Sequence, residues 1–400
     1  MAPRFTLTVL FFSALNSFAA TFTIPGPNQS KANQVVEVTD ASLDRSLSYV
    51  IATQTAAGVN LLPAQWDSKK EKLTFILPYQ DIGKTFTGFA TLGKPKTSLE
   101  VQALRGKETI EVSEVGETTR TILKYQDAET LPASVKEVYR RGGFIHPIYT
   151  PDQTLVSDSF AADHLHHHGI WMAWSHTSFQ GRKPDFWNVQ ENKGRVAALG
   201  VDRVWSGPVE GGFTSKLRSL DTGVQPAVPV LDETWTVRCY AGGANARANV
   251  FDVETTQKNI ATDPLELTKH IYGGLGFRGR RDWDAKTQLR FLTSEGTTDR
   301  KKGDGQRARW FYFGGPADGK SVGVAILCHP DNLNAPQTTR FNPTMPFVAY
   351  TPVHAGNTTI APGSLFTQKF RFVVFTGEPD TLLLESYWQG FATPATVTVK

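Results

Sequence analysis

The sequence has little of several features that mark common kinds of protein. Its 400 residues include only two cysteines and three methionines, and the formal net charge is a modest +4. The longest basic run, Arg300-Lys301-Lys302, lies in a stretch rich in Gly and Asp, which is typical of a solvated loop. There is no internal repeat of fixed period and no low-complexity linker. Nothing in this composition indicates a nucleic-acid partner.

Long apolar runs are also missing, except at the N-terminus. Arg4, the apolar stretch from Phe5 to Leu15 and the small residues up to Ala19 are typical of a secretory signal peptide, residues 1–19. The stretch is shorter than the ~20 residues of a membrane span, although an uncleaved anchor stays open as an alternative. We therefore expect an exported protein, periplasmic or extracellular, with no transmembrane segment beyond the signal peptide.

From Ala20 onward most of the sequence is typical of antiparallel β-strands. Short β-branched and aromatic runs alternate apolar and polar residues, as in VVEVTD, KLTFILPY, VLDETWTVRCY and LFTQKFRFVVFTG. We predict an all-β protein with a small β-sandwich module over residues 20–120 and large stacked sheets over residues 121–400. One helix is predicted near the C-terminus in TLLLESYWQGF, with Asp380 as its N-cap.

The two cysteines leave two alternatives open. Cys239 and Cys328 both lie in strand-like runs. In an exported protein they could form a disulfide between adjacent strands. Two buried free thiols fit the sequence equally well.

The segment from His146 to Gly194 holds the densest group of potential functional residues. It contains six of the nine histidines of the chain: His146, His164, His166, His167, His168 and His176. Histidine titrates near neutral pH and is the commonest metal ligand in proteins. If DHLHHHGIW is extended, His164, His166 and His168 face one cleft, whereas Asp163 and His167 face the opposite side.

Three interpretations of this histidine run stay open. The three alternating imidazoles could bind a divalent metal ion, with His146 or His176 as further ligands. One or two of them could instead act as general base and acid, with Asp163 orienting a ring. The run could also be a buried polar network that only stabilises the sheet. The sequence has no HExxH motif and no cupin spacing, so it does not specify a metal.

The stretch GRKPDFWNVQENKG is predicted to be a loop that returns towards the histidine run. In it, Arg182 or Lys183 could bind an anionic group, Trp187 could stack on a sugar ring, and Asn188 could hydrogen-bond a sugar. The alternative for the charged residues is a solvated turn.

Three further candidates lie in the second half of the chain. Glu233 alternates with apolar residues in LDETWTV, so it is either a buried general acid or base or a solvated surface residue. His270 and Arg278 flank the Gly-rich stretch GGLGF, which lacks the context of a dinucleotide-binding motif. Both could contribute to binding a substrate.

Five stretches together resemble a known family: HPIYTPDQTLV, DHLHHHGIW, DFWNVQENKGRV, GGLGFR and GSLFTQKFRFVVFTG. They are similar to exported proteins labelled PmoA-like ("methane oxygenase PmoA"), over roughly residues 125–395. The resemblance implies a large β-supersandwich of the galactose-mutarotase type, a fold that commonly acts on or binds carbohydrates. His168 stands where the resemblance leads us to expect Arg.

These observations lead to three hypotheses about function. The first is an exported carbohydrate-active enzyme, a lyase or glycoside hydrolase. In it, His164, His166, His168, Asp163 and Glu233 are the candidate catalytic residues, and the substrate-binding candidates are His146, Arg182, Lys183, Trp187, Asn188, His270 and Arg278. The second is a non-catalytic carbohydrate-binding protein, and the third is a metal-dependent oxidoreductase.

Overall fold

The computed structural model describes residues 18–94, 99–242, 246–283 and 287–400. The predicted signal peptide therefore lies outside the described residues, except for Phe18 and Ala19 at the start of the first strand. Every strand pairing among these described residues is antiparallel. The strands of the N-terminal part are β1 Phe18–Ile24, β2 Lys31–Val38, β3 Tyr49–Thr55, β4 Gly58–Asp67, β5 Lys72–Gln80 and β6 Phe86–Leu92.

The remaining strands extend to the end of the chain. They are β7 Glu100–Arg105, β8 Thr109–Val115, β9 Thr119–Gln126, β10 Phe144–Ile148, β11 Ile170–Ala173, β12 Thr177–Ser178, β13 Gly194–Trp205, β14 Glu210–Asp221, β15 Val228–Tyr240, β16 Ala248–Asn259, β17 Leu265–Leu267, β18 Gly274–Arg278, β19 Arg290–Thr293, β20 Trp310–Ala317, β21 Lys320–Cys328, β22 Thr339–Phe341, β23 Phe347–Tyr350, β24 Thr358–Ile360, β25 Leu365–Thr376 and β26 Thr398–Val399. The helices are α1 Arg300–Gly303 and α2 Thr381–Ala392, with 3-10 turns at Glu137–Tyr139 and Pro352–His354.

The first compact unit of the chain, unit 1, comprises Met1–Thr97 and Thr393–Lys400. Its seven strands form one sheet in the order β2-β5-β4-β3-β6-β1-β26. Alternate residues of β2 are buried, as its sequence pattern predicts. The aromatic rings of Phe22, Phe75 and Phe86 pack together in the core that the inward-facing side chains form.

The second compact unit, unit 2, comprises Ser98–Ala392. It contains two eight-stranded sheets, in the orders β22-β23-β18-β11-β10-β9-β8-β7 and β13-β14-β15-β16-β25-β21-β20-β19, and a three-stranded sheet β12-β17-β24. The large sheets stack on a shared core. In it, the Tyr125 ring of one sheet lies 4.7 Å from Phe213 and 6.3 Å from Trp235 of the other. The predicted all-β fold with two large stacked antiparallel sheets is confirmed.

The division between the units differs from the predicted division at residue 120. That position falls inside β9, which pairs with β8 and β10 in a sheet of unit 2. The repetitive strand pattern does not change there, because β7 and β8 alternate in the same way as the strands of unit 1. The last eight residues return to unit 1, where β26 pairs with β1.

The predicted C-terminal helix is confirmed as α2. Its N-cap is Asp380, whose Oδ1 accepts hydrogen bonds from the backbone N–H groups of Leu382 at 2.9 Å and Leu383 at 3.0 Å. Neither helix in the described ranges is long and apolar enough to cross a membrane. Cys239 and Cys328 are both buried free thiols, and burial raises the pKa of Cys328 to about 11.

Candidate functional site

The histidine run does not form an extended strand. Between β10 and β11 the chain makes two successive turns, closed by hydrogen bonds from His164 N to Ala161 O and from His167 N to His164 O, both 2.9 Å long. Phe160, just before these turns, has a positive φ of 50°. The prediction that alternate histidines face one cleft is therefore wrong, because such alternation requires an extended backbone.

The turns bring together a different set of three imidazoles. The rings of His164 and His167 stack with centroids 4.8 Å apart and an interplanar angle of 20°. His166 meets both rings edge-on, with its centroid 5.5 Å from His164 and 4.7 Å from His167. His167 thus belongs to the cluster from which sequence alternation excluded it. We call His164, His166 and His167 the histidine cluster.

His168 is separated from that cluster by its packing. Its ring is fully buried, stacks on Phe144 with centroids 4.2 Å apart, and has its Nδ1 atom 3.1 Å from Ser159 Oγ. In place of the expected Arg, this chain therefore has a neutral imidazole fixed between an aromatic ring and a hydroxyl. His168 still contributes one wall of the cavity described below.

Arg278 and Asp163 hold one side of the histidine cluster. Arg278, at the end of β18, is buried, and its Nη2 donates a 2.7 Å hydrogen bond to Asp163 Oδ1. Its Nη1 lies 3.3 Å from His167 Nδ1. Because a guanidinium group can only donate, His167 Nδ1 acts as the acceptor, which fixes its proton on Nε2. The sequence predicted that Asp163 orients a histidine ring. In the structure Asp163 accepts a hydrogen bond from Arg278, and Arg278 in turn contacts the ring of His167.

The pKa values of His146, His166, His167 and His168 are lowered, so these four imidazoles are uncharged at neutral pH. Burial, reinforced by His164, Arg141 and Arg278, lowers the pKa of His166 to about 3. Burial lowers the pKa of His146 to about 4, and the Nδ1 atom of this residue lies 2.9 Å from Ser157 Oγ. The pKa values of His167 and His168 are also well below the ordinary value, with burial as the first cause.

A narrow cavity lies beside the histidine cluster, and its walls include Arg141, His166, His168 and Trp187. Its volume is about 10 Å³, enough for roughly one water molecule. Arg141 is buried and donates from Nη2 to Met172 O at 3.1 Å. Among the described residues, the buried Arg141 Nε, Arg278 Nε and Trp171 Nε1 have no hydrogen-bond partner. Three unpartnered N–H donors therefore surround the histidine cluster and cavity.

Sequence reasoning missed Arg141, whose charge acts on two of the cavity's imidazoles. It is fully buried and lies within Coulombic range of both His166 and His168. Burial lowers the pKa of Arg141 to about 10, which still leaves it charged at neutral pH. The only sequence signal was a basic pair, Arg140-Arg141, directly before two glycines and the strand that contains His146.

Glu233 lies in the core of unit 2 and outside the cavity walls. In β15 its Oε1 accepts hydrogen bonds from Trp235 Nε1 at 2.8 Å and from Thr255 Oγ1 at 2.7 Å. Burial raises its pKa, as the sequence predicted for a carboxylate inside a sheet. It interacts electrostatically with the buried Arg141, which is consistent with a role as a buried countercharge.

The loop between β12 and β13 returns to the histidine run, as predicted, but its residues have other partners. Trp187 was expected to offer an exposed face, yet it is 2% exposed and packs on Trp171 with ring centroids 5.0 Å apart. Arg182 donates to the buried Asp221 at 2.6 Å, and Asn188 donates to Asp185 Oδ2 at 2.7 Å. Lys183 is exposed to solvent. Of these four, only Trp187 reaches the cavity.

His270 and His176 form a second imidazole pair in unit 2. Their rings stack with centroids 3.5 Å apart and an interplanar angle of 16°. Ser175 Oγ lies 3.4 Å from His270 Nδ1, which also accepts a 3.2 Å hydrogen bond from Tyr272 N. Burial and the neighbouring His176 lower the pKa of His270.

The residues present do not fit the predicted metal site. Within the described ranges, no group of three or more His, Cys, Asp or Glu side chains is arranged to hold a metal ion. The nitrogen lone pairs of an imidazole lie in the plane of its ring. The stacked rings of His164 and His167 therefore direct their lone pairs along nearly parallel planes, which do not converge on one ion.

Comparison with known proteins gives a family but no activity. No curated protein matches the sequence. A crystal structure from Klebsiella pneumoniae subsp. pneumoniae, of a protein provisionally described as an aldose 1-epimerase, is similar over 73% of this chain and 86% of that chain, with 11% sequence identity and a TM-score of 0.33. None of these matches has the PmoA-like label, so that part of the resemblance stays a prediction. Residues 113–389 match the model of DUF6807, a family of unknown function, and the chain therefore belongs to the DUF6807 family.

Proposed function

We propose that unit 2 is a carbohydrate-active enzyme, a lyase that cleaves chains of acidic sugars by β-elimination. The observation that supports this most strongly is the cavity shared by His166 and Arg141. It combines a half-buried, uncharged imidazole with a buried guanidinium whose Nε has no partner. A guanidinium binds carboxylates with directed hydrogen bonds, and a neutral imidazole can accept a proton.

In the proposed reaction Arg141 binds the carboxylate of the sugar and stabilises the negative charge that develops on it. His166 takes the proton from the carbon next to this carboxylate. The electron pair of the broken C–H bond forms a new C=C bond, and the bond from the adjacent carbon to the glycosidic oxygen breaks. The departing oxygen receives the proton from the imidazolium, so no oxidant, reductant or covalent protein adduct is needed.

A bound carboxylate would also increase the basicity of His166. In the free protein, burial and the positive charges of Arg141 and Arg278 help to keep its pKa at about 3. A negative charge placed on Arg141 offsets the contribution of that guanidinium and raises the pKa of His166. The base therefore becomes stronger when the acidic sugar is bound.

The available carboxylates support elimination better than hydrolysis. Glycoside hydrolases use two carboxyl groups that flank the glycosidic bond. Here Asp163 is paired with Arg278, whereas Glu233 is buried, hydrogen-bonded to Trp235 and Thr255, and absent from the cavity walls. Asp163 and Glu233 therefore do not form the pair of carboxyl groups that a hydrolase places on either side of one glycosidic bond.

We place the sugar ring outside the narrow cavity, over the more exposed side of the histidine cluster. The side chains of Asp163 and His164 are 45% and 36% exposed there. The cavity itself has room for about one water molecule, so only the carboxylate would reach towards Arg141.

The test is a screen of uronate oligosaccharides, including polygalacturonate and alginate fragments, that reads the ultraviolet absorbance of unsaturated products. We expect His166→Ala to lose at least about 100-fold of the rate, the usual contribution of a general base. Arg141→Lys should raise KM, while Arg105→Lys, at an exposed arginine of unit 2 outside the cavity, serves as the matched control. New reducing ends without unsaturation would show a hydrolase and would refute elimination.

A second candidate is non-catalytic binding of the same acidic sugars. The small volume of the cavity favours it, because a site with room for one water molecule holds little more than a functional group of a ligand. In this case uronates would bind without turnover, and Arg141→Lys would weaken binding as much as His166→Ala does.

We also propose that the protein is exported, on the basis of its N-terminal sequence. Cell fractionation and N-terminal sequencing of the product test this. We expect a chain beginning at Ala20 outside the cytoplasm, and a variant lacking residues 5–15 should stay inside. A full-length cytoplasmic product would contradict the proposal.

A further inference from the structure

Unit 1 contains an open groove that is far larger than the cavity of unit 2. Its volume is about 620 Å³, within the range of roughly 300–1,000 Å³ that is common for ligand sites. Residues of β3, β4, β5 and β6 line it, and these are four consecutive strands in the sheet order β5-β4-β3-β6. The groove is therefore formed by one continuous stretch of sheet.

The strand register shows that the groove is the open end of the core. Ile51 of β3 pairs with Leu62 of β4, and both side chains belong to the core of unit 1. Two residues further along, Thr53 pairs with Asn60, so these polar side chains lie on the same inward face, beyond the end of the core. Leu62, which lines the groove, lies where the core begins.

Aromatic side chains form another part of the groove wall. Tyr79 lies two residues after the core residue Leu77 on the same face of β5, and it is 49% exposed. Phe86 of β6 stacks against Phe75 of the core, with centroids 5.9 Å apart, and also lines the groove. Aromatic faces of this kind pack against the apolar C–H faces of sugar rings.

The most informative property of the groove is that it has no charge. None of the residues that line it is Asp, Glu, Lys, Arg or His, although 20% of the chain is charged. Its polar groups are hydroxyls and amides. Among the described contacts, the side-chain polar groups of Asn60, Tyr79, Thr85 and Thr87 have no hydrogen-bond partner in the protein. A groove with these properties neither attracts nor neutralises an ionic ligand.

We propose that this groove binds a neutral oligosaccharide through stacking on Tyr79 and Phe86 and hydrogen bonds to Asn60 and Thr85. Hydroxyl and amide groups match the hydroxyls of a neutral sugar. The acidic sugars proposed for unit 2 gain nothing from an uncharged wall, so the two ligands differ in charge. This site is independent of the lyase proposal, and each can fail without the other.

The test measures binding to the full chain by calorimetry, with cellohexaose, xylohexaose and mannohexaose as neutral probes and oligogalacturonate as the acidic probe. We expect at least one neutral probe to bind. Tyr79→Ala should weaken that binding by about tenfold or more, because a stacked aromatic face contributes roughly the energy that corresponds to tenfold in Kd. Ile82→Ala is the matched control, since Ile82 is exposed in the same unit and lies outside the groove.

A second variant keeps the proposal falsifiable if truncation disturbs the strand. Asn60→Asp adds one negative charge to the groove with little change in side-chain volume, and it should abolish neutral-sugar binding while leaving unfolding unchanged. The absence of binding of all three neutral probes would overturn the proposal. Wild-type affinity in both Tyr79→Ala and Asn60→Asp, or tighter binding of oligogalacturonate that Tyr79→Ala removes, would overturn it as well.

Discussion

Unit 1 and unit 2 are both built from antiparallel strands, yet they differ in the charge and in the size of their cavities. All nine histidines lie in unit 2, where the cavity beside the histidine cluster contains a buried guanidinium and has a volume of about 10 Å³. The groove of unit 1 has about 620 Å³ and no charged side chain. The same strand geometry therefore yields either a closed charged site or an open neutral one, depending on which residues occupy the inward positions.

The strongest test of this comparison replaces one aromatic residue in each site. Trp187→Ala in unit 2 should lower the free energy of unfolding by about 3–5 kcal/mol, because it empties a buried, packed volume. Tyr79→Ala in unit 1 should cost less than about 1 kcal/mol, since Tyr79 is already 49% exposed. Urea unfolding measures both values. Equal losses would mean that the groove aromatics belong to the core.

The next test is acid, which should lower the stability of unit 2 more than that of unit 1. His146 has a folded pKa of about 4, below its value of about 6.5 when unfolded. The unfolded state therefore binds more protons in this window, so the stability is complete above pH ~6.5 and is lost as pH falls towards 4. At pH 5 the loss is about 2 kcal/mol for one such histidine.

Hydrogen exchange at pH 7 and at about pH 5, each corrected for the intrinsic rate, locates this loss. Protection should fall in the strands of unit 2 and stay nearly constant in unit 1, which has no histidine. A parallel loss of protection in β2 and β5 of unit 1 would contradict the explanation.

A smaller difference between the units in unfolding free energy is expected when a carboxylate near a positive charge is replaced by an amide. Glu233→Gln keeps a hydrogen-bond acceptor for Trp235 but removes the negative charge near the buried Arg141, which should cost about 1–3 kcal/mol. The matched change in unit 1 is Glu37→Gln, which weakens half-exposed pairs with Lys70 and Lys72 and should cost less than about 1 kcal/mol. Chemical unfolding of the two variants measures both losses. No loss in Glu233→Gln would show that Glu233 is already protonated.

The smallest effect is expected for a fully solvated charge pair. Arg45 and Glu71 of unit 1 pair at 2.6 Å with side chains 61% and 58% exposed. Arg45→Met should change the free energy of unfolding by less than about 1 kcal/mol at moderate salt. A loss as large as that of Glu233→Gln would contradict the expectation that a solvated pair contributes less to stability than a buried charge.

Much of the fold could be predicted because strand alternation is a local property. The runs KLTFILPY and LFTQKFRFVVFTG correspond to β5 and β25, and Asp380 caps α2 as its position indicated. The unit boundary could not be predicted in the same way. It depends on which strands pair, and β7 and β8 have the same alternation whichever sheet they join.

The sequence indicated the segment that forms the candidate site but not its geometry. The histidine run contributes residues to the cavity, yet its predicted alternation was wrong because two hydrogen-bonded turns replace the extended backbone. Arg141 was missed because its partner Met172 is 31 residues away in sequence. Trp187 was expected to be exposed since its neighbours are polar, but packing against Trp171 buries it. Such features depend on contacts between distant segments.

The pairing of β26 with β1 has a consequence for the order of folding. Phe22 pairs with Val399, and Lys400 N donates a 2.8 Å hydrogen bond to Thr21 O, so the first and last described strands of the chain are neighbours. During synthesis the N-terminal segments of unit 1 emerge first but lack their edge strand until all of unit 2 has followed. The sheet of unit 1 can therefore be completed only after unit 2 has been synthesised.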